Sequence, residues 1–113
     1  MDQEKVDKIV DIIAKQFELQ NDISRKFVEH ALLAIQKFDE KNSEKQKNKF
    51  KFGAIEVLMK MDSKYETLVE HYNPDNNNIL QDEDLQKVWE DVAVYSLMGK
   101  IVDAGEWEWI FNA

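Results

Sequence analysis

Apolar residues recur every three or four positions along most of the chain, which is the spacing of one face of an α-helix. The three glycines and one proline leave few places for a break. The clearest break is the stretch 73–81, where a proline lies beside several asparagines and favours a turn. The pattern predicts an all-α fold, a four-helix bundle with one domain over residues 1–113. We expect the helices at 3–18, 22–38, 46–72 and 82–104, followed by an aromatic C-terminal tail.

The predicted third helix has one apolar stripe that contains two acidic residues. Its apolar members are Ile55, Leu58, Met59, Tyr65, Val69 and Tyr72. Asp62 and Glu66 lie in the middle of the stripe, one helical turn apart. The apolar spacing predicts that this stripe is the buried face of the helix. The two carboxylates would then need a partner or a metal, because burying an unpaired charge costs several kcal/mol.

The predicted fourth helix offers a second pair of carboxylates, Asp84 and Asp91, on the flank of its apolar stripe. Facing helices that each present two carboxylates are a common way to hold a divalent metal, and oxygen ligands suit Mg²⁺ or Mn²⁺. Lys60 and Lys64 are candidates to bind phosphate. Two alternatives stay open: lysines pair with the carboxylates, or the stripe faces water.

The C-terminal tail is dense in aromatic residues, with Trp107, Trp109 and Phe111 within five positions. Exposed aromatic clusters usually mark an interface with another protein. The tail therefore predicts either a partner interface or a segment that folds back on its own helices.

Composition narrows the classes of function. The chain has a net charge of −8 and 34% charged residues, which disfavours direct binding to nucleic acid or to an anionic membrane. The absence of cysteine excludes disulfides, thiolate metal sites and a cysteine nucleophile. The N-terminus lacks a signal-peptide pattern, and no apolar run is long enough for a membrane span, so we expect a cytoplasmic protein.

Several motifs together resemble a known family. They are Lys51-Phe52-Gly53, then Asp62-Ser63-Lys64, the loop 73–81, and an acidic helix from Glu83-Asp84 to Asp91 and Tyr95. This order looks like the nucleotide-modification-associated domain of phages. That domain is similar to the all-α nucleoside-triphosphate pyrophosphohydrolases of the MazG and dimeric dUTPase type.

The resemblance implies a metal-dependent, homo-oligomeric helical protein that binds a nucleotide in the cytoplasm, which is the host cytoplasm if a phage encodes it. Its metal ligands would be Asp62, Glu66, Asp84 and Asp91. The hydrolases carry Glu-x-x-Glu and Glu-x-x-Asp pairs, whereas Asp62 and Glu66 are four residues apart here. The resemblance therefore implies either a pyrophosphohydrolase or an inactive descendant, with the catalytic residues unassigned.

Two other functions fit the same residues. The acidic surface and the aromatic tail are typical of a phage-type inhibitor, or interaction protein, that binds a basic surface on a host protein in place of nucleic acid. A structural helical oligomer is the third hypothesis. The nucleotide hypothesis depends on Asp62 and Glu66, whereas the inhibitor hypothesis depends on exposed acids or on the tail.

Overall fold

The computed structural model of this protein describes residues 2–42, 53–75 and 80–107. These residues form four α-helices and no β-strand, so the predicted all-α class and the number of helices are confirmed. The helices are α1 (Gln3–Gln16), α2 (Asp22–Asn42), α3 (Ala54–Tyr72) and α4 (Asp82–Asp103). No helix in the described part of the chain combines the length and the apolar character that crossing a bilayer requires.

The ends of α1 and α2 differ from the predicted ends. α1 ends at Gln16 rather than at 18, because Glu18 adopts a left-handed conformation (φ 52°) that turns the chain. The Leu19 N–H then donates to the Ala14 carbonyl at 2.9 Å, which closes the helix end in a Schellman-type arrangement. α2 continues to Asn42 rather than ending at 38, because its charged last turn forms helix readily and Asp39 and Glu40 are exposed to water.

The bounds of α3 and α4 follow from their flanking residues. Gly53 has a φ of 79°, which glycine adopts without strain, and α3 begins at the next residue. The predicted helical residues 46–52 lie outside the described residues. α4 begins at residue 82 as predicted and ends at Asp103 instead of at 104. Gly105, with a φ of 75°, follows the end of α4.

The chain divides into two compact units, Met1–Ser43 and Glu44–Ala113, and each is described by itself. The prediction of a single domain stays a prediction. In the first unit, α1 and α2 bury four small apolar side chains: Val6, Val10, Ala14 and Ala34. Arg25 of α2 pairs with Asp11 of α1, and Gln3 donates to Glu29 at 3.4 Å. The Lys26 ammonium, 3.2 Å from Glu29, holds the pKa of that carboxyl below its usual value.

In the second unit, α3 and α4 pack as an antiparallel pair around a small apolar core. Its buried members are Val57, Leu68, Leu85, Met98 and Trp107. Gly99 of α4 lies against Val57, since a Cβ built on Gly99 would be 3.6 Å from the Val57 Cγ1. A Cβ at this distance would make an ordinary van der Waals contact, so Gly99 lies directly over the buried Val57.

The connection between α3 and α4 is held by a histidine. The Leu80 N–H donates to His71 Nδ1 at 3.0 Å across the predicted loop, and this contact is partly buried. On the other side of the loop, the Asp75 N–H donates to the Asn73 side chain at 3.0 Å, as expected of an asparagine-led turn. The imidazole therefore fixes the position of the backbone at Leu80, two residues before α4 begins.

Replacing His71 with alanine leaves the Leu80 N–H without its acceptor, so we expect the free energy of unfolding of the α3–α4 pair to fall by about 1–3 kcal/mol. Urea denaturation followed by tryptophan fluorescence measures this loss, since all three tryptophans lie in the second unit. His30→Ala is the control, because His30 is exposed on α2 and its loss should change stability by less than about 0.5 kcal/mol. Equal effects of the two changes would contradict the role given to His71.

Candidate binding surface on the third and fourth helices

The predicted buried stripe of α3 is exposed, so the prediction of its burial was wrong. The exposed fractions run from 49% to 67% for Ile55, Leu58, Met59, Tyr65, Val69 and Tyr72. Asp62 and Glu66 are exposed with them, and the described residues include no buried charged side chain. The two carboxylates therefore keep their hydration, and the desolvation cost expected from the sequence does not arise.

The reason is that α3 has two apolar faces and α4 packs on the other one. Val57 and Leu68 are the buried residues of α3, and Val57 faces Gly99 of α4. Glu66 lies half a turn round the helix from Val57 and so points away from α4. The helical spacing of Val57, Met61 and Leu68 was the signal for the true packing face.

The exposed face of α3 has a strict seven-residue pattern, which we call the seam. Its members are Ile55, Leu58, Asp62, Tyr65, Val69 and Tyr72, at alternating intervals of three and four residues. These intervals are those of the a and d positions of a coiled coil, with Asp62 at an a position. Such a row is the surface on which one helix packs along another helix.

Two open hollows lie beside the seam, and residues of α4 complete them. The first, of about 550 Å³, is lined mainly by Tyr65, Val69, Tyr72, Trp89 and Val92. The second, of about 490 Å³, is lined by Leu58, Met59, Met61, Asp62, Tyr65 and Val92. Since Tyr65 and Val92 line both hollows, the two form one continuous apolar surface.

Aromatic side chains fix the loop end of this surface. Trp89 Nε1 of α4 donates to the Tyr72 hydroxyl at 3.1 Å, and the two ring centroids are 6.4 Å apart. The His71 ring meets the Tyr72 ring edge to face, at 4.8 Å. This hydrogen bond gives the indole N–H an acceptor and leaves the apolar faces of both large rings available for contact. Trp89 and Val92 were not among the predicted site residues.

The structure does not bring the four predicted metal ligands together. Asp91 instead lies 3.3 Å from the ammonium of Lys64, so a predicted ligand pairs with a predicted phosphate-binding residue. Asp84 is exposed in the first turn of α4, and Lys60 is exposed on α3. Across the described ranges, no three acidic or histidine side chains are grouped so that they could hold a metal ion. The ligand set, the Mg²⁺ or Mn²⁺ and the nucleotide stay predictions.

The structure buries the first aromatic residue of the tail. Trp107 is 4% exposed, so for this ring the fold-back alternative is favoured over a partner interface. Trp109 and Phe111 lie outside the described residues.

No family model, no curated protein and no solved structure matches this chain. The resemblance to the MazG-like pyrophosphohydrolases therefore stays a prediction.

Proposed function

We propose that this protein acts by binding an amphipathic α-helix along the seam of α3, as an interaction or assembly protein. The observation that carries the proposal is the unbroken row of exposed a and d positions from Ile55 to Tyr72, five of them apolar. A helix lying along this row would cover apolar side chains that now face water, which is the main source of free energy in helix-in-groove recognition.

The charges of the surface favour a cationic helix over an anionic one. Asp62 lies within the seam and Glu66 at its edge, and neither side chain has an ion pair or a hydrogen bond with another described residue. The chain as a whole carries a net charge of −8. Lysines flanking the apolar positions of a bound helix would lie near these carboxylates, whereas glutamates there would be repelled.

The proposal is tested with a pair of fluorescent peptides. Each has three heptads with leucine at a and d, and they differ only in lysine or glutamate at the e and g positions. We expect fluorescence anisotropy to give a Kd at least about tenfold tighter for the lysine peptide. Failure of both peptides to bind at concentrations up to about 100 μM, a limit near −5.5 kcal/mol, would contradict the proposal.

A matched pair of variants shows whether the seam is the binding site. Leu58 and Leu97 are 57% and 56% exposed, but only Leu58 belongs to the seam and lines one of the two hollows. We expect Leu58→Gln to weaken binding of the lysine peptide by about tenfold or more, and Leu97→Gln to leave it unchanged. Equal weakening by the two changes would mean that the peptide binds elsewhere.

The nucleotide hypothesis has a separate test. Thermal unfolding is measured with Mg²⁺ or Mn²⁺ across a nucleotide panel, for the unchanged protein, Asp62→Asn and the off-seam control Glu70→Gln. A bound ligand at a hundred times its Kd adds about 2.7 kcal/mol of stability. A metal-dependent stabilisation lost only in Asp62→Asn would favour the nucleotide hypothesis, and we expect no such stabilisation.

A further inference from the structure

Asp62 differs from the other members of the seam in its charge, although it shares their position. It lies one helical turn from Leu58 and one turn from Tyr65. All three side chains line the hollow of about 490 Å³. The carboxylate is therefore placed inside the surface that a bound helix would cover, with an aliphatic neighbour on one side and an aromatic neighbour on the other.

No described residue supplies a cation for this carboxylate. Asp62 has neither an ion pair nor a hydrogen bond with another described residue. The nearest lysines along α3, Lys60 and Lys64, each lie about 160° round the helix from it. Lys64 is also paired with Asp91 of α4, at 3.3 Å. A cation that meets Asp62 in the covered seam must therefore come from the bound helix.

We propose that Asp62 selects a partner helix that carries one arginine at the core position opposite it, among otherwise apolar core residues. This inference rests on the proposed function, because it specifies the partner of the same surface. A leucine opposite Asp62 would remove water from the carboxylate without replacing its hydrogen bonds, which is unfavourable. A guanidinium would replace that water with charge-assisted hydrogen bonds. A single polar residue at an a position also fixes the register of two packed helices, at a cost in stability.

Tyr65 favours arginine over lysine at this place. Its ring is 63% exposed and lies in the same hollow as Asp62. A planar guanidinium can bind a carboxylate through two N–H groups and also stack on an aromatic ring, whereas the ammonium of lysine is a more strongly hydrated point charge. The attraction between a cation and a ring increases when water is excluded from the site. An arginine in the covered hollow would therefore contact both side chains.

Glu66 does not have the same role, although it lies only four residues from Asp62. It is outside the a and d positions, and it lines neither hollow. A charge at the rim of an interface stays hydrated and attracts any nearby cation, so it does not select the residue at one core position. Glu66→Gln removes the same charge as Asp62→Asn, one turn away, and is the matched control.

An arginine scan tests the proposal. The starting peptide is the lysine peptide of three heptads, which has one core leucine for each of the six positions of the seam. Six further peptides each replace one core leucine with arginine. Fluorescence anisotropy gives the Kd of each peptide for the unchanged protein, Asp62→Asn and Glu66→Gln. Both residues are exposed, so we expect both variants to fold, which circular dichroism checks.

We expect one arginine peptide to bind the unchanged protein at least about tenfold tighter than the other five. With the two rows in full register, its arginine is at the third core position for parallel packing and at the fourth for antiparallel packing. Lysine at the same position should bind at least about threefold more weakly than arginine. The preference for this position should disappear in Asp62→Asn and persist in Glu66→Gln.

Two results would overturn the inference. Similar Kd values for all six arginine peptides would mean that no core position of the partner is selected. A preference that persists in Asp62→Asn would mean that another group selects the arginine. As long as the all-leucine lysine peptide binds, both results leave the proposed function standing. Failure of every peptide to bind at up to about 100 μM would instead contradict the proposed function itself.

Discussion

Replacing Trp107 with alanine will lower the free energy of unfolding of the second unit by about 3–5 kcal/mol, the range for truncating a buried tryptophan. Trp107 is 4% exposed although it follows the end of α4, after the left-handed Gly105. Its indole is the largest buried side chain among the residues that the structure describes, so removing it leaves a large cavity. Urea denaturation followed by the fluorescence of the remaining tryptophans measures the loss.

The control for this prediction is Trp89→Ala. Trp89 is 48% exposed, and its ring contributes one hydrogen bond, to Tyr72. We expect its removal to cost about 1 kcal/mol. If Trp107→Ala were no more destabilising than Trp89→Ala, the residue after Gly105 would not belong to the core, and the interface alternative for this ring would regain its support.

The second large effect concerns Met98, which is 2% exposed on α4. We expect Met98→Ala to lower the free energy of unfolding by about 2–5 kcal/mol, because the alanine leaves a cavity in the core of the second unit. The adjacent Leu97 is 56% exposed, so Leu97→Ala should cost less than about 1 kcal/mol. Measuring both variants in urea identifies which side of α4 is covered.

The reverse order, with Leu97→Ala the more damaging change, would contradict the packing of this helix pair. Similar losses in both variants would mean that α4 is covered on two sides in solution. A helix bound along the seam leaves the expected order intact, since Leu97 belongs neither to the seam nor to the hollows beside it.

Local sequence signals predicted the secondary structure well. The proline and asparagines after Tyr72 marked the loop, and the acidic start of α4 marked its first residue. The errors lie at helix ends decided by backbone geometry that the pattern does not contain. Glu18 ends α1 in a left-handed conformation that is unusual for a glutamate, so the apolar spacing alone placed the end too late.

The candidate site was harder to predict, because helical periodicity identifies an apolar face but not what covers it. On α3 the more regular face, with Leu58 and Tyr65, is exposed, and the less regular face, with Val57 and Leu68, is buried. α4 packs on the less regular face, where Gly99 lies beside Val57. That choice depends on a contact between residues far apart in sequence, which no local pattern records.

The pairing of Lys64 with Asp91 illustrates the same difficulty with charges. Both residues were candidates for binding a nucleotide, one through phosphate and one through a metal, and pairing with lysine was the alternative left open. Their separation in the fold is 3.3 Å, which makes each the partner of the other. Spacing along one helix predicts which side chains share a face. It does not predict the charge of the residue on the neighbouring helix, because that depends on how the two helices are aligned in the fold.

Asp62 also has a consequence for the solubility of the chain. Asp62 is the one charged residue of the seam, which is otherwise apolar and exposed to water. A charge at such a position hinders non-specific aggregation of the chain during synthesis. The same carboxylate must lose part of its hydration whenever a helix covers the seam, which weakens the complex. The aspartate therefore favours an association that forms selectively and comes apart again, and a leucine in its place would give a tighter but more aggregation-prone protein.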